Sequence, residues 1–106
     1  MEPRFVYITC ANEAEALKIG TSLVEERLAA CANILPGMIS CYWWEGKVHQ
    51  DRETVLVVKS RAALSGQLIE KVKALHSYEV PCVVFLPILE GNPEYLNWLG
   101  EETRLK

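Results

Sequence analysis

An α+β fold with the order β-α-β-β-α-β and a short C-terminal helix is what this chain predicts, and three observations carry that expectation. Short apolar runs of strand character alternate with segments whose apolar residues recur every three or four positions. A β-prone stretch from Cys31 or Ala32 through Trp44 is followed by Glu45-Gly46-Lys47 and another strand, which reads as one long antiparallel hairpin. No repeat, low-complexity tract or linker breaks the order, so residues 1–106 read as a single domain.

The first strand runs from Phe5 to Thr9, and Asn12 then caps a helix, with Glu15 at N3 completing a capping box. The buried stripe of that helix reads Ala16, Ile19, Gly20, Leu23, Val24, Leu28 and Cys31, steps of three and four that stay on one face. Pro36-Gly37 bends the second strand. Beyond the bend, Trp43 and Trp44 must point to opposite faces of a sheet, so cover is needed on both sides. The third strand spans Arg52 to Lys59. Ser60 is placed to cap a second helix whose apolar positions are Leu64, Leu68, Val72 and Leu75, ending at His76-Ser77. Val80 before Pro81 is held extended. Cys82 to Ile88 then reads as an apolar strand buried on both faces or set beside another apolar strand, with Pro87 limiting its pairing. Asn92-Pro93-Glu94 starts the last helix, with proline at N1. Right-handed crossovers give a ferredoxin-like, four-stranded antiparallel sheet in which the first strand lies between the third and the fourth.

Composition narrows the function. A formal charge of −3 argues against capture of nucleic acid, which needs a basic face. Half of the residues are hydrophobic, high for so small a body, and an interface between copies explains the excess. The first residues lack the pattern of a signal peptide and no apolar run is long enough to span a bilayer, so the expected compartment is the cytoplasm. There Cys10, Cys31, Cys41 and Cys82, which show no zinc-ribbon spacing, should remain thiols.

The topology brings chemistry together. First and last strands are antiparallel neighbours, so Cys10 at the end of one is expected near Cys82 at the start of the other, with His76 close by. Sulfur and imidazole favour copper or zinc over calcium or magnesium. Packing is the competing role for each cysteine, and most strongly for Cys31 and Cys41 inside predicted elements. A second group, Glu45, Lys47, Asp51, Glu53, Lys59, Tyr78 and Glu79, gathers polar residues at strand ends and on its own reads as a solvated hairpin rim with weak surface ion pairs. No nucleophile elbow, phosphate loop or HExxH motif is present, so no catalysis is expected.

Leu23 to Ile34, the Pro36-Gly37 turn, Tyr42-Trp43-Trp44-Glu45-Gly46-Lys47, His76-Ser77-Tyr78-Glu79-Val80-Pro81 and Tyr95-Leu96-Asn97-Trp98-Leu99 together resemble the CutA family of divalent-cation tolerance proteins. The resemblance implies a tight homotrimer built from long hairpins and strand edges, binding of copper or other divalent ions, no organic cofactor, and a likeness to PII signalling proteins. It implies that Cys10 and His76 are the copper-linked positions and that the polar group above lines a cleft between subunits. Tyr42, Trp43, Trp44 and Trp98 are the expected interface residues. Ser77 stands where the family usually has proline, Cys82 where it usually has glutamate, and Leu75 where some members have a second histidine. Cys82 is thus read as a substituted third ligand. A PII-like module binding a small molecule and a trimer that docks other proteins are the alternative roles.

Overall fold

The computed structural model describes residues 1–105. Its strands are β1 (Pro3–Cys10), β2 (Cys31–Trp44), β3 (Lys47–Arg61) and β4 (Val83–Pro87), and its helices are α1 (Glu13–Glu25), α2 (Ser65–Leu75) and α3 (Pro93–Glu102). They form a four-stranded sheet in the order β2-β3-β1-β4, with every pairing antiparallel. This is the predicted topology. No helix among the described residues is long and apolar enough to cross a membrane.

Pleating gives the sheet two unlike faces. Val6, Ile8 and Cys10 of β1 share one face with Leu56 and Val58 of β3, and all five are completely buried against Ile19, Leu23, Leu68 and Val72 of the helices. Gly20 permits the close approach of α1, because a Cβ there would stand 3.0 Å from both Ala32 Cβ and Leu56 Cδ1. The opposite face carries Tyr7, Val57 and Val84, and it extends over Tyr42 and Trp44 in the hairpin. Much of it is bare.

The first helix starts as expected, with Asn12 Oδ1 accepting from the Glu15 N–H at 2.9 Å. It stops earlier than the apolar stripe implied. Arg27 adopts a left-handed φ of 62°, while the Leu28 N–H donates to Leu23 O and the Arg27 N–H to Val24 O, a Schellman ending. Leu28 is therefore buried beyond the helix and Cys31 opens β2. A non-glycine residue in this conformation needs an anchor, and Arg27 has one in the Glu102 carboxylate at 2.5 Å.

β3 begins at Lys47, well before Arg52, because the hairpin ladder holds through His49, Gln50 and Asp51 whatever their polarity. Glu45 (φ 50°) and Gly46 (φ 76°) make a two-residue hairpin turn with both residues left-handed. Between Leu35 and Met38 the register slips at a bulge, where Gly37 has φ 86°.

Ser60 does not cap α2. It pairs within β3 opposite Arg4, and its buried hydroxyl donates to Leu28 O at 2.7 Å. A single 3₁₀ turn, Ala62–Leu64, leads into α2 instead. Nor is β4 buried on both faces: Val83 and Phe85 pack on the core, whereas Val84 and Leu86 are each 48% exposed on the bare side. Asn92 caps α3 through the Glu94 N–H, with Pro93 in the first turn as expected.

Candidate functional site

Two adjoining features meet at the connector after α2. One is a cluster of donor atoms on the helix side of the sheet and the other is a cavity on its bare side.

The cluster follows from how the elements end. β1 finishes at Cys10 and α1 starts within a few residues, so Glu15 in its first turn comes back over the strand end. Glu15 does not close a capping box onto Asn12. Its Oε1 accepts from the Ala11 N–H at 2.9 Å and its Oε2 from the Ser77 N–H at 2.8 Å, tying α1 to the far end of α2. Burial pushes this carboxyl up, but the bonds from Ser77 and Ala11 outweigh it and hold the group below the usual carboxylate range.

His76 is the C-cap of α2, with its backbone N–H on Val72 O, and its side chain has no exposure. Both ring nitrogens are engaged. Nε2 lies 2.8 Å from Thr9 O, which can only accept, and Nδ1 lies 3.0 Å from the Tyr78 N–H, which can only donate. Those partners place the proton on Nε2 and leave Nδ1 to accept from Tyr78, with Glu15 Oε1 3.8 Å from Nδ1. Cys10 Sγ, a Glu15 carboxylate oxygen and a His76 ring nitrogen lie within 4.8 Å of one another. Burial, then Glu15, then Glu53 pushes the Cys10 thiol up to about 12. The thiol is therefore protonated unless an ion displaces the proton.

Cys82 is not in this cluster. β4 pairs with β1 as Ile8 opposite Val83, so extending the register by one residue sets Cys82 opposite Thr9. Thr9 and Cys10 point to opposite faces, and Cys82 goes with Thr9. Position along the strands was foreseen correctly, but the pleat turns the sulfur away. Glu15 takes the third place instead. Its N3 position directly after the strand end was the signal that could have found it.

The cavity, about 590 Å³, is lined by Cys82 and Thr9 together with Glu53, Tyr78 and Glu79 of the expected cleft, and by Tyr42 and Trp44. Tyr78 joins the two features. Its amide holds His76, its ring lies 4.6 Å from the imidazole, and its hydroxyl donates to Glu53 Oε2 at 2.7 Å. Burial and that bond raise the Tyr78 hydroxyl, and burial with Glu53 raises the Cys82 thiol. Both groups stay neutral near pH 7.

The remaining cleft residues do not converge within one chain. Asp51 accepts from the Tyr42 hydroxyl, Glu45 and Lys47 sit at the hairpin tip, and Lys59 donates to Asn33 Oδ1 at 2.5 Å toward the other end of β3. A strand rises about 3.3 Å per residue, so Lys47 and Lys59 stand roughly 40 Å apart. The aromatic residues expected at an interface are all open in the single chain, with Trp43 the most exposed at 75%.

A family model for the CutA1 divalent ion tolerance protein matches residues 4–102. The chain belongs to this family. The "Divalent-cation tolerance protein CutA" of Thermus thermophilus is 54% identical over 98 residues, covering 92% of this chain and 95% of that protein. The "Protein CutA 1, chloroplastic" of Oryza sativa subsp. japonica is 50% identical over 93% of this chain, which spans only 56% of the rice protein's length. The crystal structure of CutA1 from Oryza sativa superposes with a TM-score of 0.96 at 46% identity, covering 100% of this chain and 97% of that one. CutA membership and the ferredoxin-like sheet therefore agree, as the residues quoted above led one to expect.

Proposed function

We propose that this chain is a homotrimeric, non-catalytic CutA protein that acts in divalent-cation tolerance by binding copper or a similarly thiophilic ion at Cys10, Glu15 and His76. The observation that carries this reading is the convergence of a sulfur, a carboxylate and an imidazole within 4.8 Å. A donor set of that kind suits copper or zinc better than a hard ion.

The donors fit an ion, with a condition. Each is already occupied: the thiol by its proton, Nε2 by Thr9 O, Nδ1 by the Tyr78 N–H, and Glu15 by two amides. Capture through Nδ1 must release the Tyr78 amide and expel the Cys10 proton. Only an ion with a strong preference for sulfur offsets both costs, which favours copper over magnesium or calcium.

Assembly is supported by the edges of the sheet. Among the described residues β2 and β4 each leave one edge unpaired, and a 14-residue edge strand is a template for another chain. Trp43, Trp44, Tyr42 and Trp98 add exposed aromatic area of the kind that interfaces bury. Light scattering should give about three times the 12.0 kDa chain mass.

The site is tested by titrating reduced protein with Cu(I) and Cu(II). Cys10→Ala and His76→Ala should each weaken binding by about tenfold or more, while Cys82→Ala leaves it as in the parent protein. Unchanged affinity in the first two variants removes the site.

A further inference from the structure

The connector after α2 is held in place by the donor cluster itself. Among the described residues, the backbone of residues 77–82 makes only two hydrogen bonds, and both end on atoms of that cluster. The Ser77 N–H donates to Glu15 Oε2 at 2.8 Å and the Tyr78 N–H to His76 Nδ1 at 3.0 Å. No helix or strand ladder runs through this stretch, which bends over residues 77–80 before β4 starts at Val83. Its path therefore depends on what Glu15 and His76 are doing.

The two bonds differ in whether they survive an ion. A carboxylate oxygen has two lone pairs, so Glu15 can keep the Ser77 amide while it coordinates. An imidazole nitrogen has only one. If His76 coordinates through Nδ1, the lone pair that accepts from Tyr78 is taken. If it coordinates through Nε2, the proton now facing Thr9 O moves to Nδ1 and stands against the Tyr78 N–H, donor to donor. Either way the Tyr78 amide loses its partner. The Tyr78 ring lies 4.6 Å from the imidazole, and its hydroxyl reaches the cavity wall, donating to Glu53 Oε2 at 2.7 Å. A backbone that swings away from Nδ1 carries this ring with it, and a hydrogen bond of that length tolerates little displacement. All of these bonds lie within one chain, so each subunit of an assembly carries the link.

We infer that Ser77 and Tyr78 form an ion-displaced strap, in which occupation of the Cys10 cluster frees the Tyr78 amide from His76 and, through the ring, breaks the hydroxyl bond to Glu53. Tyr78 is then a positioning residue that holds ion affinity down without touching the ion. The inference rests on the ion reading of Cys10, Glu15 and His76 proposed above. By linkage it is reciprocal, so whatever strengthens the bond between Tyr78 and Glu53 weakens ion binding by the same factor.

The test uses Cu(I) and the intact, reduced protein in its native oligomeric state, beside Tyr78→Phe, which keeps the ring and loses only the hydroxyl bond. Removing a hydrogen bond that opposes the ion should tighten Cu(I) binding about three- to tenfold. A variant that merely loosened the fold would bind more weakly. Amide hydrogen exchange supplies the second measurement. In the parent protein Cu(I) should speed exchange at the Tyr78 amide at least about tenfold and leave the amides of β1 as they were. In the ion-free protein, Tyr78→Phe should already speed exchange of the same amide about three- to tenfold, a result that needs no ion. Unchanged or weaker Cu(I) binding by Tyr78→Phe, a Tyr78 amide that stays protected when Cu(I) binds, or unchanged ion-free exchange in the variant overturns the strap. The ion site survives those results as long as Cys10→Ala and His76→Ala still lower affinity. No Cu(I) binding, or binding indifferent to Cys10→Ala and His76→Ala, overturns the strap and the site together.

Discussion

The two faces of the sheet are built from similar residues and behave differently. On the helix side, Val6, Ile8, Leu56 and Val58 have no exposure at all, and they belong to one buried cluster with residues of both long helices. On the other side, Val84, Leu86 and Leu35 are equally apolar and are about half exposed. The first set therefore stabilises the single chain. The second set gains its burial only from something outside that chain, and it borders the one acidic, aromatic cavity described above. The pleat thus separates the residues that hold the single chain together from those it leaves exposed.

That separation can be broken most directly by truncating one residue from each face. Leu56→Ala should cost about 2–5 kcal/mol in denaturant unfolding, as expected where a buried side chain leaves a void. Leu86→Ser should cost less than about 1 kcal/mol in the folding of the chain and instead lower the assembled mass at low concentration. Equal losses in the two variants would mean that the faces are energetically alike.

A smaller effect is expected at the cluster between them. Glu15→Gln removes the charge that accepts from Ala11 and Ser77 and should cost about 1–3 kcal/mol at neutral pH. The folded-state pKa of Glu15 is lowered, so its contribution is complete above the unfolded value of about 4.3 and fades as pH falls through the folded value. The gap between parent and variant should close in acid. A gap that stays constant from neutral pH into the acid limb would show that the carboxylate charge is not what ties the helices together.

The smallest change is predicted at Arg27. Arg27→Gly relieves a left-handed backbone but loses the Glu102 ion pair, terms of about 1 kcal/mol each and opposite in sign. Net stability should move by less than about 1 kcal/mol, and high salt should shift the balance toward glycine because it screens the exposed pair. A large loss would assign the α3 contact more weight than its exposure implies.

How much of this was legible in the residues depends on the distance over which each interaction acts. Caps at Asn12 and Asn92, the Glu45-Gly46 turn and the apolar repeats of α1 and α2 are local, and they read correctly from neighbours in the chain. Ser60 looked like a cap because its partner, Leu28 O, lies 32 positions away. Helix α1 looked longer because the stripe continues through Leu28, while an arginine in the left-handed region gives no glycine signal. The nearness of Cys10 and His76 was legible because topology alone brings strand and helix ends together. Cys82 was misplaced because topology does not say which way a side chain faces, and only the pairing of Ile8 with Val83 does. Glu15 read as a capping residue because its longer tie, to Ser77, belongs to the tertiary fold.

The bulge in β2 governs more than a bend. Leu35 pairs with Val55 but Met38 with Glu53, three steps on one strand against two on the other. That odd count exchanges inside and outside for every later position of the arm, so Trp44 rather than Trp43 is turned toward the cavity. Deleting Gly37 alone would restore even counting and swap the roles of the two indole rings without changing either one.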